Sequence, residues 1–191
     1  AETNHRFLKI IKDEADRLAL LIQDLLNLSQ VEQNNPDLKP GNIIKIIEKT
    51  TTMLKHQEQN KNIDIRTEIE SNLPVVYMIQ EQIEQVLINL IDNSIKYTED
   101  NGEIIVRVYT NSGKVCVEVE DNGLGIPQED QERIFERFYR VDKARSREMG
   151  GTGIGLSIVK HILEGHDSKI HLDSEVGEGT RFWFCLKGIN K

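Results

Sequence analysis

KVCVEVEDNGLGIP, residues 114 to 127, joins a strand pattern to a turn that is richer in glycine than a hairpin requires. Alternating valines in the first half have a period of two, which predicts a strand with one buried face. The strand ends at Asp121, and Asn122-Gly123 alone would complete a hairpin turn. Gly125 and Ile126-Pro127 follow instead, and a proline here is typical of a helix start. We therefore expect a loop with a function of its own.

The segments on both sides alternate between strand and helix patterns. The predicted elements are a helix near 43 to 54, strands at 63 to 69 and 73 to 78, a helix from about 80 to 97, a hairpin of 104 to 108 with 115 to 119, a short helix opened by Pro127, a helix from Gly155, and a last hairpin of IHLDSE with TRFWFCL. Residues 42 to 191 are accordingly predicted to form an α/β sandwich.

Residues 5 to 31 carry a different pattern, a heptad seam with gaps of four and three. Its positions are Phe7, Ile11, Glu14, Leu18, Leu21, Leu25 and Leu28, and Ile10, Ile22, Leu26 and Val31 widen the apolar face. This width predicts a bundle of more than two helices, with partners in another copy or in an upstream segment. Packing of the helix on its own domain is the alternative. NNPDLKPG breaks the helix, so we place a first domain at 1 to 33, a linker at 34 to 41 and a second domain at 42 to 191.

Composition excludes several classes of protein. The chain has 191 residues and a formal net charge of −8, which argues against nucleic-acid binding because phosphate contacts need clustered cations. No apolar run of 18 residues and no secretion signal occurs in it. Cys116 and Cys185 lie in strand patterns without a partner at metal-binding spacing, so we expect buried reduced thiols, consistent with a cytoplasmic compartment.

Amide side chains mark the helix from 80 to 97. Asn89, Asn93, Lys96 and Tyr97 form a polar stripe beside the apolar one, and a solvated face would more often carry Glu, Lys or Gln. Two asparagines one turn apart place amide oxygens at the edge of the core. Such oxygens suit a hydrated Mg²⁺, which prefers hard ligands and keeps several waters.

A second glycine cluster, residues 150 to 155, leads directly into an apolar helix pattern. Backbone N–H groups at such a helix start favour an anion, and phosphate is the natural ligand. The cluster is neither a dinucleotide loop nor a P-loop, because no strand precedes it and no Gly-Lys-Ser/Thr follows. Five cations precede it in an otherwise acidic chain, namely Arg137, Arg140, Lys143, Arg145 and Arg147. They supply the local positive charge that an anionic ligand needs.

The order of the motifs resembles that of the ATP-binding domain of sensor histidine kinases. The motifs are Asn89-xxx-Asn93-xx-Lys96-Tyr97, Asp121-Asn122-Gly123-Leu124-Gly125, Phe135-Glu136-Arg137-Phe138-Tyr139, Gly151-Thr152-Gly153-Ile154-Gly155-Leu156 and Gly177-Glu178-Gly179-Thr180. The resemblance implies a two-layer α+β sandwich of the GHKL ATP-binding type. DLLNLS at 24 to 29 looks like the second helix of the dimerisation and phosphotransfer hairpin of these kinases. FYRVDKARSR and GGTGIGLSIVKH resemble the phosphate-responsive and cell-wall-sensing kinases.

The resemblance also implies how the adenine base is held. Asp121 is expected to accept a hydrogen bond from the adenine amino group, while Gly123 and Gly125 let the backbone approach the base. This expectation explains the glycines after the strand. The other expected nucleotide contacts are Tyr97, Ile126, Tyr139, Gly151, Thr152, Gly153, Gly155, Leu156 and Thr180.

For the phosphate groups, the resemblance implies that Asn93, helped by Asn89, holds Mg²⁺ and that Lys96 faces phosphate. Arg140 is the residue expected to meet the γ-phosphate, because a guanidinium fork matches the charge that develops there. Residues 140 to 150 are expected to form a lid that closes over ATP.

The acceptor histidine of the family is missing. In the family a His followed by an acidic residue lies in the preceding helix, whereas His5 is followed by Arg6. We therefore expect the chain to be the cytoplasmic part of a longer kinase that is anchored in the cell membrane by upstream segments. A homodimer formed through the helical bundle and a cognate response regulator are the expected partners.

Two other functions fit the same glycine motifs. Related ATPases, such as type II topoisomerases, mismatch-repair proteins and heat-shock chaperones, have a glutamate that activates water one turn before the metal-binding Asn. Asn89 occupies that position here and cannot take a proton, which disfavours hydrolysis. The other alternative is a coiled-coil adaptor with an inactive nucleotide site, and the intact polar and glycine positions argue against it.

Overall fold

A computed structural model describes residues 37–57, 61–141 and 152–189, and in the N-terminal part residues 8, 11, 12, 14, 15, 18, 19, 21–26 and 29. The described N-terminal residues are helical. Among the described helices, none combines the length and the apolarity that a membrane crossing needs.

The described residues of the main body form three helices and seven strands. They are β1 Lys39–Gly41, α1 Ile43–Gln57, β2 Asp64–Ile69, β3 Val76–Met78, α2 Gln80–Tyr97, β4 Glu103–Asn111, β5 Lys114–Asp121, α3 Gly155–Gly165, β6 His171–Glu175 and β7 Gly179–Lys187. Strands β2-β4-β5-β7-β6 form a sheet in that order, and β1 pairs with β3 in a separate ribbon. Only β2 and β4 run parallel within the large sheet, and its other neighbours are antiparallel.

The helices pack on one face of the large sheet, and the core lies between the two layers. Ile83, Leu87 and Leu90 of α2 are fully buried against the alternate residues of β4, β5 and β7 that face them. The other face of the sheet is polar, and Arg107 of β4 lies there, within hydrogen-bonding reach of Glu118 on the neighbouring strand. The α+β sandwich predicted from the sequence is therefore confirmed.

The cysteine prediction was wrong. Cys116 of β5 and Cys185 of β7 are joined by a disulfide across 69 residues of sequence. The two residues lie directly opposite each other in the antiparallel β5–β7 pair, on the polar face of the sheet. Spacing along the chain gives no sign of this register, which arises only when distant strands pair. The two cysteines thus give no support to the prediction of a reducing compartment.

Two boundaries also differ from the predictions. Lys39–Gly41, at the end of the predicted linker 34 to 41, forms β1 and pairs with Val76–Met78. The short helix expected after Pro127 is instead a series of turns, and only Arg133–Phe135 forms a single 3₁₀ turn. The Asp130 N–H bonds to the Pro127 carbonyl 2.9 Å away, which closes a turn and does not start an α-helix.

The apolar face of the N-terminal helix is largely uncovered. Leu8, Ile11, Leu18, Ile22, Leu25 and Leu26 are each at least 45% exposed. Leu21 is the exception among the described residues, since it packs against the core of the main body. The heptad residues Phe7 and Leu28, and Ile10 and Val31 of the wider apolar face, lie outside the described residues. The exposed face is consistent with a helical bundle completed by other segments, which stays a prediction.

Candidate functional site

Asp121 occupies the end of β5, at the edge of the sheet. It lies opposite Ile104 of β4 and Thr180 of β7, and its side chain is only 6% exposed. Its Oδ1 accepts a hydrogen bond from the Gly123 N–H at 3.1 Å. A carboxylate has room for about four hydrogen bonds, so this side chain retains acceptor capacity for a ligand.

Burial raises the pKa of the Asp121 carboxyl above its ordinary value, because the charged form loses hydration. The Ser94 hydroxyl and the backbone N–H groups of Gly123 and Thr180 act the other way and favour the anion, whereas the charge of Glu120 disfavours it. Ser94 is buried, and its hydroxyl forms no hydrogen bond of good geometry with any described residue. A donor from a ligand would therefore meet a poorly hydrated acceptor, which favours a strong hydrogen bond.

The loop after Asp121 is held between two other parts of the chain. On one side, the Leu124 N–H bonds to the Tyr97 carbonyl at the end of α2, at 3.1 Å. On the other side, the Leu124 carbonyl accepts from the Gly177 N–H at 2.9 Å. Gly125 has a φ of +68°, and a Cβ built on it would lie 1.9 Å from the carbonyl oxygen of Glu175. Only glycine fits this position, because the backbone of the β6–β7 turn occupies the space of a side chain.

Ser174 and Gln131 fix the same loop, and the sequence interpretation missed both. The Ser174 hydroxyl accepts the Ile126 N–H at 2.9 Å and donates to the Gly179 carbonyl at 2.7 Å. The Gln131 amide donates to the Ile126 carbonyl at 3.0 Å and to the Ser174 carbonyl at 2.8 Å. Ser174 lies opposite Thr180, a predicted site residue, in the hairpin of the last two strands. The register of that hairpin would have identified Ser174, but the sequence prediction did not include the register.

The two asparagines of α2 have different surroundings. Asn89 donates from Nδ2 to the carbonyl of Gly155 at 3.2 Å, and its Oδ1 accepts from Gln85 at 3.2 Å. Asn89 therefore ties α2 to the first residue of α3. Asn93 is half-buried, and its amide forms no hydrogen bond with the described residues.

This difference decides which amide fits a metal. The unengaged oxygen of Asn93 is a hard ligand of the kind that Mg²⁺ accepts, whereas the Asn89 oxygen already has a donor. Within the described residues no cluster of three His, Cys, Asp or Glu side chains could hold a metal alone. A magnesium ion here would thus depend on water and on oxygens of the nucleotide itself, a coordination that Mg²⁺ commonly adopts.

Lys96 and Tyr97 lie at the other end of α2. The Lys96 ammonium is 2.5 Å from Oδ2 of Asp92, one turn earlier on the helix. The side chain of Lys61 caps this end of α2, because its ammonium donates to the carbonyls of Ile95, Lys96 and Thr98 at 2.9 to 3.1 Å. An open cavity of about 480 Å³ adjoins Lys96, Tyr97 and Leu124. Lys96 would have to leave Asp92 to meet a phosphate.

The second glycine cluster precedes α3 as predicted. The Gly153 carbonyl accepts from the Phe138 N–H at 2.8 Å, and α3 begins at Gly155 beside Asn89. Thr152 donates its hydroxyl to Asp24 of the N-terminal helix at 2.6 Å. Leu156 packs on the core. Gly151 and the lid residues 142 to 150, with the cations Lys143, Arg145 and Arg147, lie outside the described residues.

Tyr139 and Arg140 follow the 3₁₀ turn. The Tyr139 hydroxyl donates to Asp130, which raises the pKa of the phenol, and the Arg133 guanidinium lies 4.2 Å from the centre of the ring. Arg140 is half-buried at the end of the described segment. These contacts anchor the start of the predicted lid to the main body.

Two groups of the predicted residues are thus brought together. Around the end of β5 the structure assembles Asp121, Gly123, Gly125, Ile126 and Thr180. Asn89 and Gly155 meet between α2 and α3. Lys96 is held in an ion pair with Asp92.

Comparisons with known proteins show which proteins the chain is similar to. Residues 78–189 match the family model described as histidine kinase-, DNA gyrase B- and HSP90-like ATPase. The uncharacterized sensor-like histidine kinase ycf26 of Porphyra purpurea is 41% identical over 94% of this chain, and the chain spans 29% of that relative's length. The solved structure of full-length ShkA with AMPPNP has a TM-score of 0.82 at 24% identity, over 100% of this chain and 40% of that one, which shows a shared fold. Histidine kinase ThkA in complex with response regulator TrrA has a TM-score of 0.78 at 27% identity, over 99% of this chain and 52% of that one.

Proposed function

The chain belongs to the histidine kinase-, DNA gyrase B- and HSP90-like ATPase family, and from this membership we propose that it is the catalytic part of a sensor histidine kinase. In this role it binds Mg-ATP and presents the γ-phosphate to a histidine of the full-length protein. The observation that carries the proposal is Asp121, a buried carboxylate with spare acceptor capacity beside a backbone loop that only glycine can form.

The base is recognised at this carboxylate. Asp121 accepts the amino group of adenine, and the Gly123 N–H keeps the carboxylate oriented from behind. Because the site is poorly hydrated, a substitution that removes the negative charge of Asp121 should weaken nucleotide binding by about 1.5–3 kcal/mol, the contribution of a hydrogen bond to a charged group. Guanine presents a carbonyl oxygen where adenine presents the amino group, so the same carboxylate repels it.

The phosphate groups lie between α2 and the start of α3. A magnesium ion bound there would neutralise phosphate charge, with Asn93 as its protein ligand. Asn89 holds the Gly155 carbonyl and so sets the distance between the two helices. The backbone N–H groups at the start of α3, with Gly153, Gly155 and Leu156, face the phosphates, and Arg140 with the lid completes the enclosure.

Asn89 also favours transfer over hydrolysis. Its amide cannot accept a proton from water, and in this structure it is engaged on both sides, by Gln85 and Gly155. The acceptor of the γ-phosphate is therefore a side chain from another part of the protein. We place that acceptor in a helical bundle to which the N-terminal helix contributes its exposed apolar face, as in a homodimer.

The proposed partners follow from this arrangement. A response regulator would receive the phosphoryl group from the histidine, and the complex of ThkA with a response regulator is the precedent among the similar structures. We place residues 1 to 33 in the bundle and the rest in the nucleotide-binding domain, on the cytoplasmic side of a cell-membrane protein. The resemblance to the phosphate-responsive and cell-wall-sensing kinases remains a prediction.

Nucleotide titration by calorimetry tests the proposal. The parent protein should bind Mg-ATP and prefer it to Mg-GTP, and Asp121→Asn should weaken ATP binding by about 10-fold to 150-fold. Glu120→Gln is the matched control, because it removes the neighbouring carboxylate from the same strand and should leave the affinity within about twofold. Absence of ATP binding by the parent, or equal affinity of the parent and Asp121→Asn, would refute the proposal.

A further inference from the structure

Three side chains form a row across the end of the sheet. Asp121 of β5 lies opposite Thr180 of β7, and Thr180 lies opposite Ser174 of β6. Residues directly opposite each other in antiparallel strands share one face of the sheet, so the three side chains are on the same side. Ser174 therefore lies in one row with Thr180 and Asp121, two residues of the proposed base site, although the nucleotide need not contact Ser174 itself.

The hydrogen bonds of Ser174 determine where its only proton lies. A carbonyl oxygen can only accept, so the 2.7 Å contact with Gly179 takes the Ser174 proton. The Ser174 oxygen then accepts the Ile126 N–H at 2.9 Å. Its remaining contact is with the Thr180 hydroxyl at 3.0 Å, where either oxygen could donate. Since the Ser174 proton is already committed, Thr180 is the donor of this last bond.

The consequence for Thr180 is that its hydroxyl keeps only acceptor capacity. Thr180 is 8% exposed and Asp121 is 6% exposed, so both acceptors lie in the same poorly hydrated place. Two acceptors side by side match an amino group, which has two protons to donate. They disfavour a base with a carbonyl oxygen at that position, because a carbonyl oxygen cannot donate and would leave both acceptors buried and unpaired.

We propose that Ser174 is a positioning residue that directs the Thr180 proton away from the nucleotide, and that Thr180 and Asp121 thereby select a 6-amino purine over a 6-oxo purine. The proposal rests on the function proposed above and adds a residue to it. Ser174 acts through Thr180 and through the loop at Ile126, without contacting the base.

The test is the ratio of the affinities for Mg-ATP and Mg-GTP, measured by calorimetry. In Ser174→Ala the Thr180 hydroxyl is free to turn its proton to the base and to donate to a 6-oxo group. The preference for ATP over GTP should then fall about fivefold to tenfold, the effect of one hydrogen bond of about 1 to 1.5 kcal/mol. Ser174→Thr keeps a hydroxyl on a strand that tolerates β-branched residues, and should restore the ratio.

A matched control separates selectivity from stability. The Ser168 hydroxyl, in the segment before β6, donates to the Cys185 carbonyl of β7 at 2.9 Å, so Ser168→Ala removes another serine-to-carbonyl bond to β7 but away from Asp121. It should lower the melting temperature without changing the ratio. Thr180→Val offers an independent measurement if Ser174→Ala does not fold. It should lower the ratio as well, and in the double variant the two effects should not add.

An unchanged ratio in Ser174→Ala, with the two affinities falling equally, would overturn the proposal and leave Ser174 a purely structural residue. An unchanged ratio in Thr180→Val would overturn it equally. If the parent protein binds neither nucleotide, the proposed function itself fails and the inference fails with it. These outcomes differ in whether the parent binds ATP at all, so the two failures are distinguishable.

Discussion

Replacement of Gly125 by alanine should separate the loop after β5 from the turn between β6 and β7. The new Cβ would lie 1.9 Å from the Glu175 carbonyl oxygen, whereas side-chain atoms of this kind essentially never come within 3.0 Å. The two backbones must therefore move apart by about 1 Å, which breaks the bond from Gly177 to Leu124. An alanine at positive φ costs about 1 to 2 kcal/mol and a lost hydrogen bond about 1 kcal/mol, so we expect about 2 to 3 kcal/mol of destabilisation.

The hairpin between β4 and β5 supplies the control. Gly113 has a φ of +78°, and a Cβ built there would have no heavy atom within 4 Å. Gly113→Ala therefore measures the backbone strain alone, about 1 to 2 kcal/mol. At about 2 to 4 °C per kcal/mol, Gly125→Ala should melt about 4 to 12 °C below the parent, and Gly113→Ala less, by the share of the lost hydrogen bond.

Nucleotide binding gives the second measurement. Gly125→Ala should weaken Mg-ATP binding by at least about tenfold, because the shifted loop carries Gly123 and Ile126 away from Asp121. Gly113→Ala should bind ATP like the parent. Equal melting temperatures for the two variants, or normal ATP affinity in Gly125→Ala, would refute the steric reasoning.

Three further predictions concern stability. Burial raises the pKa of Asp121, so the native state binds this proton more tightly than the unfolded state, and the contribution of Asp121 to stability falls as pH rises from about 3.9 through the raised pKa. Ligand-free Asp121→Asn should accordingly melt above the parent at neutral pH, and a lower melting temperature would contradict this. Burial lowers the pKa of His166, whose Nε2 accepts the Ile79 N–H, so the free energy of unfolding of the parent should decrease as pH falls below about 6.5. In urea titrations across that pH range His166→Gln should show a shallower decrease, and parallel curves for the two proteins would argue against this. Reduction of the Cys116–Cys185 disulfide opens a link across 69 residues and should lower the free energy of unfolding by up to about 4 kcal/mol, and an unchanged urea midpoint in the presence of a dithiol would rule this out.

Local periodicity accounts for the elements that the sequence predicts well. The helix from 80 to 97 and the strands of the two hairpins occur where the apolar pattern requires them, because each has one face buried in the same core. The glycines after Asp121 could be recognised as more than a hairpin turn, since such a turn does not need Gly125, and the structure packs Gly125 against the backbone of Glu175. In contrast, the proline at 127 fits both a helix start and a turn, and local chemistry does not distinguish them.

Features that depend on the pairing of distant strands were not predictable. Cys116 and Cys185 meet only because β5 and β7 pair in one register, and a shift by one residue would place them on opposite faces. Register also places Ser174, which lies opposite Thr180 in the β6–β7 hairpin and so beside the proposed base site. The strand at Lys39–Gly41 forms because a distant strand, Val76–Met78, accepts it.

Phosphoryl transfer is the measurement to make on the full-length protein that contains this chain. The protein is incubated with γ-labelled ATP and Mg²⁺, and phosphate that is acid-labile and base-stable is counted on the parent and on Asp121→Asn. We predict label on the parent protein and none on the variant, which would establish a histidine kinase that uses this pocket. An unlabelled parent that nevertheless binds ATP or hydrolyses it steadily would contradict the proposed transfer and would assign the nucleotide to hydrolysis or conformational control.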